Sequence, residues 1–298
     1  MVPVFVIFLR EGVEASMIVS ILLAFLDRIG QRRHFRDVIT GVVAALALAG
    51  GGAFAAYFTI RTYSGSRVQL IFETATYALA AAVLTYMTFW MASHARTISR
   101  ELRERAEAAI GRGERVGLAL IAFQAVGREG LETAVFTLAI VFATGTRGTL
   151  VGALAGMVAA LALSIVIYRL GRRINLSVFF TVIGGLLMVF GAGLVVDLVE
   201  NLQQLGWVTL LAHPLWNTSH VLSESSALGD VFHSFFGYAD RPTALQAICY
   251  VAYVAVALTV FLRLSRKRPL AASAPNTGRR GAVADPARSV ARSLELPR

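Results

Sequence analysis

The sequence is poor in charged residues and contains a single cysteine. Only 15% of its 298 residues are charged and 56% are hydrophobic, whereas soluble proteins carry about 25% charged residues. One cysteine, Cys249, excludes an internal disulfide framework and a thiolate metal cluster within one chain. These shortages argue against an ordinary cytosolic enzyme, and the mean hydropathy of +0.66 indicates a membrane protein.

The basic residues stand between long apolar runs, so the net charge of +10 does not indicate a nucleic-acid partner. Seven runs are long enough for a bilayer core about 30 Å thick. They are 2–27, 38–58, 71–91, 116–142, 149–168, 177–200 and 243–264. The connections after the first, third and fifth runs, together with the C-terminal tail, contain 22 basic residues, whereas the remaining connections contain four. This split predicts an all-α, multi-pass plasma-membrane protein with seven transmembrane helices, its N-terminus outside and its C-terminus in the cytoplasm.

The chain divides into a predicted permease domain and a tail. Residues 1–264 contain all seven apolar runs, whereas residues 265–298 are rich in Ala, Pro, Arg and Ser. Such a composition without apolar periodicity predicts a disordered basic tail drawn to the anionic cytoplasmic leaflet. The polar stretch 93–115, with opposite charges at helical spacing, predicts a short solvated helix.

One short motif occurs twice. Arg10-Glu11-Gly12-Val13-Glu14 lies within the first apolar run, and Arg128-Glu129-Gly130-Leu131-Glu132 lies within the fourth. Two predicted crossings lie between the copies, so the first and fourth helices run through the membrane in opposite directions. This arrangement predicts a 3+3 inverted repeat, about 1–92 and 116–200, with the seventh helix (243–264) added outside it.

The charged residues of the two motifs are energetically unfavourable inside a membrane. Each costs about 2.5–3.5 kcal/mol at a helix centre, so six facing lipid would cost roughly 15–21 kcal/mol. They must therefore face the bundle interior. Helical spacing places both acids of one motif on the same face, with the arginine one turn away from the second acid.

Four carboxylates in a low-dielectric cavity suit a hard, multiply charged cation that prefers oxygen ligands. The two arginines reduce the repulsion among the acids and leave a net charge near −2. We therefore predict that Glu11, Glu14, Glu129 and Glu132 bind a metal ion, with Arg10 and Arg128 as supporting charges. The motifs lack histidine and cysteine, which argues against zinc or copper(I). The alternative is a structural ion pair that joins two helices.

The paired motif resembles the signature of the oxidase-dependent iron permeases of fungi and bacteria. Further stretches resemble the same family: Phe72-Glu73, Leu84-Thr85-Tyr86-Met87, Trp90-Met91, Leu202-Gln203 and Phe236-Gly237-Tyr238. The resemblance implies a transporter rather than an enzyme, which imports iron across the plasma membrane and has no permanently bound cofactor. It also implies that the four glutamates are the translocation ligands. The expected partner is an extracytoplasmic protein that oxidises or delivers iron.

The expected outer side contains further candidates. Glu73, Asp197 and Glu200 stand near outer helix ends and are secondary vestibule candidates. The loop 201–242 contains three histidines and three acids that would concentrate metal, or would simply be solvated: His213, His220, Glu224, Asp230, His233 and Asp240. Glu200-Asn201 stands where the family usually has His-Glu.

Three other functions remain open on the sequence. A proton-coupled transporter or exchanger of another divalent cation, such as lead or manganese, would use the same carboxylates, because oxygen ligands do not select iron. A haem-holding subunit of an oxidoreductase would need axial histidines within helices, whereas His94 lies only at a helix end. A structural anchor is disfavoured by the cost of the buried charges.

Overall fold

The computed structural model describes residues 2–94, 98–111, 115–144, 146–170, 176–224 and 226–266. Within these ranges the regular structure is helical. The α-helices are α1 (Val2–Arg28), α2 (Phe35–Arg61), α3 (Arg67–His94), α4 (Ile98–Gly111), α5 (Arg115–Thr144), α6 (Thr146–Leu170), α7 (Leu176–Gln204), α8 (Ala227–Phe236) and α9 (Ala244–Arg266). All of the predicted disordered tail lies outside the described residues except Ser265 and Arg266.

Each of the seven apolar runs forms a helix, and the polar stretch after the third run forms α4. Four apolar helical segments are long enough to cross a membrane: Arg32–Arg61, Arg67–Trp90, Gly148–Val166 and Thr181–Gln204. The apolar part of α9, Ala244–Val260, is shorter. Helices α1 and α5 are 27 and 30 residues long, but each contains the three charges of one motif. The number of crossings and their orientation remain predictions.

The two helices that carry the motifs pack antiparallel. At one end, the start of α1 and the end of α5 share an apolar core that includes Val4, Ile7, Phe136 and Ile140. At the other end, the end of α1 and the start of α5 share a second core that includes Leu22, Leu26, Leu118 and Ala122. We call these the first and second apolar layers. The charged motifs lie between them along both helices.

The motif glycines allow these helices to approach their neighbours closely. Helix α1 packs against α6, α5 packs against α2, and α3 packs against α7. A Cβ atom on Gly12 would lie 2.6 Å from the Cβ of Ala160 in α6, and one on Gly130 would lie 3.0 Å from the Cβ of Ala49 in α2. The same position of each motif therefore faces an alanine across a tight helix contact.

Helix α8 covers the bundle at the end of the first apolar layer. It packs on α7 and also contacts α1 and α5, and Phe235 belongs to that layer. The Ser226 side chain caps its N-terminus by accepting a hydrogen bond from the Gly229 N–H at 3.0 Å. Gly237 ends the helix in the left-handed conformation, with φ of 66°. A Cβ there would lie 2.5 Å from the Cα of Gly193 in α7, so the two helices meet backbone to backbone.

Candidate metal site

Three acidic side chains from the two motifs meet inside the bundle. Glu11 and Glu14 come from α1 and Glu129 comes from α5, and all three are buried. Each offers one carboxylate oxygen, and these three oxygens lie within 4.8 Å of one another. Helical spacing brings the first two together, and the antiparallel packing of α1 and α5 adds the third. We call Glu11, Glu14 and Glu129 the acid triplet.

In the first motif, Arg10 is sealed between its own two acids. Its side chain is only 4% exposed. Its Nη1 donates to Oε1 of Glu11 at 2.6 Å, and its Nε lies 3.1 Å from Oε1 of Glu14. The guanidinium therefore neutralises part of the charge of both acids while it is almost completely buried.

In the second motif, Arg128 has different surroundings. Its Nε donates to Oε1 of Glu132 at 3.0 Å, but lies 4.0 Å from Oε1 of Glu129. Its guanidinium carbon stands 4.2 Å from the ring centroid of Trp90, and its Nη2 donates to the Sδ of Met87. Glu132 is buried, but it does not join the acid triplet.

Several carboxylate oxygens of the cluster are left unsatisfied. Oε2 of Glu11, of Glu129 and of Glu132 is buried and has no hydrogen-bond partner among the described residues. Oε1 of Glu14 faces Arg10 but lacks hydrogen-bond geometry. Buried acceptors without partners are costly. A first-row divalent ion binds carboxylate oxygens at about 2.0–2.2 Å, so small movements of the triplet would bring its oxygens around one ion.

The secondary candidates have different hydrogen-bond and ion-pair partners. Glu73 accepts a hydrogen bond from Gln69 at 2.7 Å, and Glu200 accepts hydrogen bonds from Gln204 at 3.0 Å and Gln246 at 3.4 Å. Asp197 instead lies against α8, where its Oδ1 is 3.6 Å from Nε2 of His233.

His233 lies between acids of two different segments. Its Nδ1 is 3.2 Å from Oε1 of Glu224, in the segment before α8, while Nε2 faces Asp197 of α7. Burial lowers the pKa of His233, but the carboxylates of Asp197 and Glu224 outweigh that effect, so its pKa is raised overall. His213 and His220, the other two histidines of the predicted outer loop, are exposed.

Sequence reasoning missed the aromatic and thioether partners of Arg128. Met87 and Trp90 stand on α3, far from the motif along the chain. Both occur in stretches that the family resemblance singled out, but nothing in their spacing pointed to an arginine. A pairing between separate helices has no local signature.

Long apolar helices that enclose a buried acidic cluster define the class of this molecule, which is a multi-pass membrane protein. Residues 1–267 match the iron permease FTR1 family. The chain therefore belongs to that family, whose members are transporters.

Curated relatives align over most of their length. The ferrous iron permease EfeU of Escherichia coli O6:K15:H31 is 31% identical over 264 residues, which cover 87% of this chain and 94% of the relative. The ferrous iron permease EfeU of Yersinia pestis is 32% identical over 266 residues, which cover 86% and 92%. No solved structure matches.

Proposed function

We propose that this protein imports iron, in the ferrous state, across the plasma membrane by way of the acid triplet. The observation that carries the proposal is the meeting of Glu11, Glu14 and Glu129 from two antiparallel helices, with buried oxygens that lack hydrogen-bond partners. Oxygen ligands of this kind suit a hard cation, and membership of an iron permease family favours iron as that cation.

The charge of the two motifs supports a divalent ion. Four glutamates and two arginines sum to −2 when all are ionised, so one Fe²⁺ neutralises the cluster while Fe³⁺ leaves an excess charge. A neutral filled site minimises the cost of charge in a low-dielectric interior. The relatives named as ferrous iron permeases are consistent with this choice.

The proposed membrane arrangement has seven crossings, with the N-terminus outside and the C-terminus in the cytoplasm. The helix packing supports an inverted repeat of α1–α3 and α5–α7. The first helix of each half packs against the second helix of the other half, and the third helices pack against each other. A two-fold axis in the membrane plane would produce these exchanged pairings.

The proposed mechanism is alternating access around the acid triplet. The first and second apolar layers stand on either side of the motifs and act as the two gates. Iron passes from the outer carboxylates Glu73, Asp197 and Glu200 to the triplet, where it competes with the arginines for the glutamates. It then leaves through the second layer. An extracytoplasmic partner delivers the iron or changes the oxidation state of the iron before transport.

Uptake of radioactive iron tests the proposal in cells that lack other iron importers. Substitution of a residue around a metal site lowers metal affinity or activity about 10–100-fold. Removal of a direct ligand in Glu11→Gln, Glu14→Gln or Glu129→Gln should therefore lower uptake about 100-fold. Glu132→Gln should lower it less, because Arg128 holds that carboxylate outside the triplet. The matched control is Glu107→Gln, an exposed acid on α4.

Two results would contradict the proposal. Unchanged uptake in all four motif variants, at equal protein levels in the membrane, would remove the acid triplet from the iron path. Equal transport of manganese or lead by the unaltered protein, with competition against iron at equal concentration, would instead favour a general divalent-cation transporter.

A further inference from the structure

We propose that Asp197 and His233 form a second binding site for a divalent transition-metal ion, at the α8 end of the bundle. Glu224 and the backbone of Tyr238 orient the imidazole in this site. The proposal rests on the proposed function only for the identity of iron as the natural ion. The site itself follows from contacts between α7, α8 and the segment before α8.

The hydrogen bonds of His233 leave one ring nitrogen available for a metal. Its Nδ1 lies 2.9 Å from the carbonyl oxygen of Tyr238 and 3.2 Å from Oε1 of Glu224. Both partners are acceptors, so they hold one ring proton on Nδ1. Asp197 favours a second proton on Nε2, and a bound metal ion would replace that proton between the two groups. A histidine that binds a metal commonly donates its other ring N–H to a carboxylate or a backbone carbonyl in this way.

The separation of the two facing atoms fits one bound ion. Nε2 of His233 and Oδ1 of Asp197 are 3.6 Å apart, and both side chains are 13% exposed. An ion at about 2.1 Å from each atom would bridge them at an ordinary ligand–metal–ligand angle, without backbone movement. Water and one further carboxylate would complete its coordination. Glu200 is the nearest such group along α7, one helical turn after Asp197.

The position of the imidazole is fixed by the fold. Gly237 brings the C-terminus of α8 against Gly193 of α7, so the two helices that supply the ligands are in backbone contact. The Tyr238 hydroxyl donates to the carbonyl of Leu222 at 2.8 Å, and this bond ties the carbonyl that orients His233 to the preceding segment. Ligands held by such contacts pay little ordering entropy when an ion binds.

The second site would add a selectivity that the acid triplet lacks. The triplet offers only carboxylate oxygen, which also suits magnesium and calcium, whereas imidazole favours first-row transition metals. Asp197 and His233 lie next to the first apolar layer, and the acid triplet lies on the other side of that layer. An ion that reaches the triplet from this side would therefore first be selected by a nitrogen ligand.

Co²⁺ binding to the purified full-length protein in lipid nanodiscs tests the site. The starting variant carries Glu11→Gln, Glu14→Gln and Glu129→Gln, so that Co²⁺ at the triplet does not contribute. We expect this variant to bind one Co²⁺ in equilibrium dialysis. We also expect a paramagnetically shifted, exchangeable imidazole N–H proton resonance, which the hydrogen-bonded Nδ1–H of His233 would supply.

Further substitutions in that starting variant identify the ligands. Adding His233→Asn should abolish the shifted resonance and weaken Co²⁺ binding at least about tenfold, and Asp197→Asn should weaken it similarly. His220→Asn is the matched control, because it removes an exposed histidine of the same loop and should change neither readout. Asp197→Asn preserves side-chain size and therefore tests the site even if His233→Asn prevents folding.

Several results would overturn the proposal. No Co²⁺ bound to the starting variant, Co²⁺ bound without an imidazole resonance, or binding unchanged by both His233→Asn and Asp197→Asn would each leave His233 as a purely structural ion-pair partner of two acids. None of these results bears on the acid triplet, which is tested separately by iron uptake.

Discussion

The two motif copies share four of five residues but have different surroundings. Arg10 is 4% exposed and contacts both acids of its own motif, whereas Arg128 is 36% exposed, bonds to the second acid and stands over Trp90. The first copy contributes both of its carboxylates to the acid triplet, while the second contributes one. Two nearly identical motifs therefore have one fully buried arginine and one more accessible arginine.

This difference predicts that the two motifs respond differently to a bound ion. A sealed guanidinium between two acids resists displacement, because moving it would leave buried charges unpaired. A guanidinium that rests on an aromatic ring has an alternative partner when it leaves its carboxylate. We expect the second motif to rearrange when iron binds and the first motif to hold its geometry.

Removing each arginine should give the largest difference between the copies. Arg10→Gln leaves two buried carboxylates without their cation, so it should lower the free energy of unfolding by about 3–5 kcal/mol. Arg128→Gln removes a guanidinium that is 36% exposed, so it should cost less, about 1 kcal/mol. Thermal unfolding of both purified variants in detergent measures the difference. Equal losses of stability would show that the two arginines have equivalent roles.

Substituting each motif glycine should give a smaller difference. A Cβ on Gly12 would stand 2.6 Å from the Cβ of Ala160, so Gly12→Ala should destabilise the protein by about 1–3 kcal/mol. Gly130→Ala, whose Cβ would stand 3.0 Å from that of Ala49, should cost less. The control is the pair Gly12→Ala with Ala160→Gly, which restores the space. If this pair is no more stable than Gly12→Ala alone, helix crowding is not the cause.

Altering the aromatic partner of Arg128 should have the smallest effect. Trp90→Leu removes a cation–π contact of about 0.5–2 kcal/mol, so the guanidinium should compete more strongly with iron for the glutamates and raise the KM of uptake about threefold. Trp90→Phe keeps an aromatic face and should lie between. Tyr86→Leu, at an exposed position of the same helix, is the control. An unchanged KM for Trp90→Leu would exclude this role of the ring.

Much of the fold and part of the site were predictable because they depend on neighbours along one chain segment. The seven apolar runs predicted the long helices, with bounds that differ by up to four residues at the ends. The ion pairs Arg10–Glu14 and Arg128–Glu132 follow from i,i+4 spacing on a helix. The partners of Asp197 and Glu200 were harder to predict, because His233 and Gln246 come from distant segments, whereas Glu73 bonds to Gln69 one turn away on its own helix.

The amino-acid sequence by itself determined that two acidic motifs are buried in antiparallel helices, since six charges cannot face lipid and helical geometry aligns the acids of each motif. Only the tertiary structure decided which three carboxylates meet, which arginine is sealed, and that His233 faces Asp197. The physical reason is that the regular repeat of a helix determines which residues of that same helix are neighbours. Contacts between helices depend on how the side chains of the whole bundle pack together.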